Sequence, residues 1–179
     1  MLELDLDEEI TLRLIQESDA GELFELTEKS RAELREWLPW VDGTQTKRDS
    51  LAFIQHSLEA YEARRSLNCG IIYNGKLCGM LGFNLVDWPN RVGHIGYWLA
   101  TDMVGRGIMS RAVSGLIHYG FYELDLNRME IRAAIGNWKS RAIPERLKFK
   151  DEGTVRESEW LYDHFVDHVV YGMLRSEWE

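Results

Sequence analysis

The stretch GYWLATDMVGRGIMSRAV, residues 96–113, passes from a strand-like run into a helical one through Gly105 and Gly107. Glycine at both positions permits positive φ and close approach of another molecule to the backbone. The first N–H groups of the following helix, about Arg106 to Ser110, have no partner within it, and the helix dipole favours an anion there. The junction therefore reads either as a phosphate cradle or as a tight turn with nothing bound. As a cradle it is neither of two familiar kinds. A P-loop needs G-x-x-x-x-G-K-[ST], and no glycine or lysine stands at that spacing here. The dinucleotide fingerprint G-x-G-x-x-G needs a third glycine where this chain has Ser110.

Reading outward, ITLRLI (10–15) alternates as a strand. Residues 18–38 carry Leu23, Leu26, Leu34 and Leu38 at helical spacing behind Ser18 as N-cap, which predicts one helix. Leu51, Ile54, Leu58 and Tyr61 share a face in a second helix over 44–65. Asn74-Gly75 suits a type I′ turn between strands 67–73 and 76–86, and 91–100 adds a third strand. Residues 108–124 are helical in pattern, with Ile108, Ala112, Leu116 and Tyr119 on one face. A strand over 128–135, a helix over 137–149 capped by Asn137, and a hairpin of strands 153–162 and 164–178 complete the chain. Pro144 predicts a kink or restart at 141–144, because an interior proline costs about 3 kcal/mol.

The order is β-α-α-β-β-β-α-β-α-β-β. An antiparallel meander followed by one β-α-β crossover makes 91–100 and 128–135 parallel. That gives an α+β fold with a mixed sheet and excludes a doubly wound one. With 179 residues and no linker or repeat, a single domain over 1–179 is expected.

A net charge of −9 leaves no basic stripe for displacing counterions, so no direct nucleic-acid binding is expected. The acidity suits a cationic acceptor such as an amine. No run reaches the roughly 18 apolar residues of a membrane span, so no membrane association is expected. The N-terminal MLELDLDEEI lacks the basic region and apolar core of a secretory signal, so a cytoplasmic location is expected. Cys69 and Cys78 read as small core residues of a reducing compartment. His164 and His168 would lie about 13 Å apart along a strand, too far to share an ion, and no metal is expected. His94 and His118 read as packed within their strand and helix.

With this element order, the opening stretch resembles the GNAT N-acetyltransferase superfamily. The family's phosphate signature, Q/R-x-x-G-x-G/A, falls on Val104 to Met109, with Val104 for Gln or Arg and Met109 for the final small residue. A second pattern, N-x-x-[SA]…G-F followed by E-G, falls on Asn137, Ser140, Phe149, Glu152 and Gly153, with Lys148 for the glycine. The phrases IGYWLA, GRGIMS, LNRMEIRAAIGNWKSRAIPER and DEGTVRE are most similar to the RimJ/RimL-type branch. The resemblance covers the whole chain. It implies a three-layer α/β/α fold with a mostly antiparallel sheet splayed at its parallel strands.

The resemblance also implies chemistry. Acetyl-CoA is the implied co-substrate, its pyrophosphate held by the backbone of Gly105, Arg106, Gly107, Ile108, Met109 and Ser110. Its amide-rich arm would pair with free backbone at Tyr97, Trp98 and Leu99 and contact Asn137. An N–H near Leu99 would stabilise the oxyanion. An amine acceptor must lose a proton before it attacks. Glu159 is the implied base, with Glu157, expected on the same strand face, or a water as alternatives. Many relatives in the superfamily carry a tyrosine acid where this chain has Pro144, which leaves Ser140 to hydrogen-bond or protonate the leaving thiolate. Trp37 and Trp40, in EWLPWVDG, would wall the acceptor groove, and Trp88 is a weaker candidate. The implied acceptor is a protein N-terminal amine, possibly ribosomal. A small amine or antibiotic, and a non-catalytic acyl-CoA-binding module, stay open, as does a homo-oligomer.

Overall fold

The computed structural model describes residues 1–179. Its strands are β1 (Glu3–Asp5), β2 (Ile10–Leu14), β3 (Leu67–Tyr73), β4 (Lys76–Asp87), β5 (Val92–Leu99), β6 (Arg128–Ala134), β7 (Lys150–Leu161) and β8 (His164–Leu174). They form one sheet in the order β1-β2-β3-β4-β5-β6-β8-β7. Only β5 and β6 are parallel neighbours, as the crossover requires. The helices are α1 (Ala20–Lys29), α2 (Arg31–Arg35), α3 (Lys47–Glu62), α4 (Ile108–Tyr122) and α5 (Trp138–Arg146).

Successive strand residues point to opposite faces, and the core divides accordingly. Cys69 and Ile71 of β3 join the larger apolar cluster, with Ile108, Ala112 and Leu116 of α4. Ile72 packs instead with the smaller cluster, built on Leu23 of α1 and Ile54 of α3. Helices thus cover both faces, in three layers. Asn74 and Gly75 both have positive φ, at 47° and 82°, as a type I′ turn demands. Cys69 and Cys78 are buried free thiols, and burial pushes both up to about 12.

Three local expectations need correction. The short strand β1 was not predicted; its three residues are too few to display a period. The helix expected over 18–38 is two helices, and Ser18 does not cap it. The chain enters through a turn of 3-10 helix at Glu17–Asp19, where the Asp19 carboxylate accepts from the Gln16 N–H at 2.8 Å and pairs with Arg13. Ser30, at φ −112° and ψ 14°, ends α1, and its hydroxyl accepts from the Thr101 N–H at 3.0 Å. His118, expected to pack, is exposed beside Tyr122.

The parallel pairing of β5 and β6 runs only from Val92↔Arg128 to Ile95↔Ile131. Beyond it β5 stays with β4 as far as Leu99↔Gly79, and β6 stays with β8 as far as Ala134↔His168. The two strands splay. The Ala100 N–H donates to the Cys78 carbonyl. By the alternation of an antiparallel ladder, Trp98 and Gly96 also face β4, so the N–H and C=O of Tyr97 and Leu99 face the gap.

The chain does not leave the helix and restart at Pro144: α5 is continuous from Trp138 to Arg146. Pro144 has no N–H for the carbonyl four residues back, that of Ser140. The Tyr97 hydroxyl donates to that carbonyl instead, at 2.7 Å. Tyr97→Phe orphans the carbonyl and should lower unfolding stability by about 1–3 kcal/mol. Adding Pro144→Ala restores a backbone donor and should recover much of that loss, measured by denaturant melts. If Pro144→Ala recovers nothing in the Tyr97→Phe background, the carbonyl is not what Tyr97 serves.

Candidate active site

A cavity of about 680 Å³ opens at the splay. Five consecutive β5 residues, His94 to Trp98, line it, although alternate residues belong to opposite faces. His94 and Ile95 still pair with β6, while Gly96 to Trp98 lie beyond the last pair, and the lining residues come from both sides of the sheet. On the side of α1 and α3 its walls are Trp37, Trp40 and Trp98, with the Trp40 and Trp98 rings 6.0 Å apart. On the side of α4 and α5 it meets Tyr97, Asn137 and Ser140. Trp88 lies elsewhere, its indole N–H donating to the Arg64 carbonyl under the Arg64 guanidinium.

Glu159 lines the cavity and Glu157 does not. The two were expected on one strand face, and a bulge explains the difference. Val155 pairs with His168 and Glu159 with Val166, so residues 156–158 together oppose Asp167. Glu157 adopts φ 47°, exposed, with its N–H donating to Asp167 Oδ1 at 2.7 Å. Glu159 returns to the ladder with Oε1 3.5 Å from His168 Nε2.

Across the gap, Asn137 Oδ1 caps α5 by accepting from the Ser140 N–H at 3.2 Å. That engagement leaves the Asn137 amide N–H groups available to a ligand. Ser140 Oγ lies 3.4 Å from the Tyr97 hydroxyl and can donate to it, a long contact that a better acceptor would displace. Burial pushes the Tyr97 hydroxyl well above its ordinary range, so it stays protonated and serves as a donor.

Gly105 and Gly107 have φ 86° and 73°, and a Cβ at either would meet open space. Conformation, not crowding, therefore demands glycine here. Gly107 is the N-cap of α4, and the N–H groups of Gly105 through Ser110 donate to no backbone carbonyl. The Ile108 and Met109 side chains are buried in the core, so only their backbone faces outward. Neither this turn nor Leu99 lines the cavity. The turn flanks α5, where Arg146 reaches Ser110 Oγ at 3.4 Å. Six free donors, a helix N-terminus and a strand gap with unpaired backbone fit a molecule that joins a pyrophosphate to an amide-bearing arm. No group of three or more His, Cys, Asp or Glu has the arrangement of a metal site.

Sequence reasoning missed four titratable cavity residues, His94, Glu130, Arg132 and His168. His94, expected to be packed, is half-buried at the wall, 3.6 Å from Glu130. Glu130 accepts from Arg132 at 2.8 Å and Arg128 at 3.0 Å. Burial raises its carboxyl, but these guanidiniums outweigh burial and hold it below the usual range. The signal was present: Arg128, Glu130 and Arg132 alternate with Met129, Ile131 and Ala133, a charged row on an interior strand. His168 was considered only as a metal ligand. The cavity roof, residues 36–46, is also tied to the β7–β8 hairpin tip. The Tyr162 hydroxyl donates to the Leu38 carbonyl at 2.6 Å, and Arg35 lies 3.9 Å from the Tyr162 ring centroid.

Residues 9–150 match the family model described as Acetyltransferase (GNAT) domain. The chain is 38% identical over 177 residues to the "Putative ribosomal N-acetyltransferase YdaF" of Bacillus subtilis (strain 168), covering 97% of this chain and 96% of that one. It is 27% identical to the ribosomal-protein-serine acetyltransferase of Escherichia coli (strain K12), covering 94% of each. Among solved structures, RimL, a ribosomal L7/L12 alpha-N-protein acetyltransferase in complex with coenzyme A, superposes with a TM-score of 0.94 at 25% identity. That likeness covers 97% of this chain and 98% of RimL. Fold, splay, glycine turn and sequence thus agree, and the chain belongs to the GNAT acetyltransferase family.

Proposed function

We propose that residues 1–179 act as one acetyl-CoA-dependent unit that acetylates a protein N-terminal amine, with a ribosomal protein as acceptor. The observation that carries this reading is the cavity through the β5–β6 splay. A thioester arriving from the glycine-turn side and an amine arriving past the tryptophans would meet there. The names of the YdaF, E. coli and RimL relatives support the ribosomal acceptor. A net charge of −9 favours a cationic acceptor over direct contact with nucleic acid. No helix is long and apolar enough to cross a membrane.

Acetyl-CoA, when bound, supplies the thioester carbonyl that the amine attacks. Backbone N–H groups of Gly105 through Ser110 would hold the pyrophosphate. Tyr97 and Leu99 would offer the arm a strand partner, with Asn137 at its side. The Leu99 N–H would steady the oxyanion, an interaction strengthened where water is excluded. Glu159 takes the proton from the acceptor ammonium, and Ser140 donates a hydrogen bond to the departing sulfur. Trp37 and Trp40 flank the acceptor's approach.

Glu159→Gln should lower kcat about 10²–10⁴-fold while coenzyme A affinity stays the same. Thiol release and calorimetry read the two quantities, and wild-type turnover by the variant removes Glu159 from the mechanism. Tyr162→Phe cuts the tie between roof and hairpin, worth about 1 kcal/mol. It should raise the acceptor KM roughly fivefold and leave the acetyl-CoA KM alone. An unchanged acceptor KM would show that the tie does not shape the acceptor site.

A further inference from the structure

We propose that His168 is a positioning and relay residue that receives, through Glu159, the proton lost by the acceptor ammonium. The inference rests on the reading of Glu159 as base. Two carboxylates line the cavity, and their partners differ in kind. Glu130 is bound by two guanidiniums, Arg128 and Arg132, which carry a permanent charge. Such a carboxylate is held as an anion and is a weak base. Glu159 has no arginine or lysine partner; the one basic group against it is the His168 imidazole, at 3.5 Å. An imidazole changes charge in the range where enzymes work, so it can take up a proton and then stabilise the restored carboxylate.

The setting fits that role. His168 sits on an interior strand, paired with Ala134 of β6 on one side and Val155 of β7 on the other. Its side chain is 16% exposed and that of Glu159 30%, so the pair is partly desolvated yet open to the cavity. The charged groups sharing that cavity are Glu159 from β7, Glu130 and Arg132 from β6, and His94 from β5. Arg132 and His94 both lie against Glu130, which leaves Glu159 as the carboxylate for His168. The bulge at 156–158 brings the two together, because it carries Glu159 across from Val166, two residues from His168 on the same face.

The proton balance closes. The ammonium gives one proton to the Glu159 carboxylate, which passes it to His168 Nε2 and leaves an imidazolium–carboxylate pair. The neutral amine forms the C–N bond, the C–S bond breaks, and the second nitrogen-bound proton goes to the thiolate sulfur. His168 then releases its proton to water. An ammonium and a thioester become an amide, a thiol and one proton.

Two measurements on the full chain test this. The first compares the NMR resonances of the histidine imidazoles in the wild type, Glu159→Gln and His168→Gln, without ligand. Loss of the carboxylate facing Nε2 at 3.5 Å should move the His168 imidazole resonances; unmoved resonances overturn the pairing. This readout survives even if His168→Gln fails to fold. The second is kcat against pH with acetyl-CoA and a peptide bearing a free N-terminal serine. His168→Gln should cut kcat about 10–100-fold, shift the acidic limb, and add nothing in the Glu159→Gln background. Equal turnover by His168→Gln and wild type, or additive losses with an unmoved limb, overturns the relay while leaving Glu159 as base. Wild-type turnover by Glu159→Gln overturns the base assignment and the relay with it.

Discussion

The end of the β5–β6 ladder at Ile95↔Ile131 is the constraint on which the rest depends. Each strand is committed on its other side, β5 to β4 and β6 to β8, past the point where they part. Closing the gap would break one of those ladders. Leaving it dry would strand backbone N–H and C=O groups, each costing on the order of 1–3 kcal/mol. The fold therefore carries an internal strand-shaped gap edged by backbone groups that an amide chain could pair with. Tyr97 secures its rim: it grows from β5, crosses to α5, and replaces the hydrogen bond that Pro144 cannot make. The proline that reads as a helix breaker is thus part of the device holding α5 against the gap.

Two different surfaces meet at that gap. On the α4–α5 side the backbone presents donors: the glycine turn, the α4 N-terminus and the capped start of α5. On the α1–α3 side aromatic rings prevail, with a roof pinned by Arg31 to the Val41 and Thr44 carbonyls and by Tyr162 to Leu38. An anionic, amide-rich donor suits the first side and a cationic acceptor the second. The separation explains how one small domain admits two substrates without letting them compete for one entrance.

Much of this was legible in residues alone. Periodicity, the Asn74-Gly75 turn and the single crossover lead to a mixed sheet, and Gly105 with Gly107 marks the turn whose N–H groups stay free. Trp37, Trp40, Tyr97, Asn137, Ser140 and Glu159 line one cavity. What stayed hidden is tertiary. No glycine announces the bulge that turns Glu157 away, since Glu157 itself takes the positive φ. The Ser30 break serves Thr101, a partner 71 residues distant. His168 becomes meaningful only once β8 inserts between β6 and β7, an order that no local pattern encodes.

Residue-resolved amide exchange, with and without acetyl-CoA, tests the central claim most directly. If the gap is the strand slot for the donor's arm, binding should slow exchange at Tyr97 and Leu99 and at Gly105 through Ser110 together. Slowed exchange at the glycine turn with Tyr97 and Leu99 unchanged would mean that the phosphate is held but the arm runs elsewhere. That result would contradict the account.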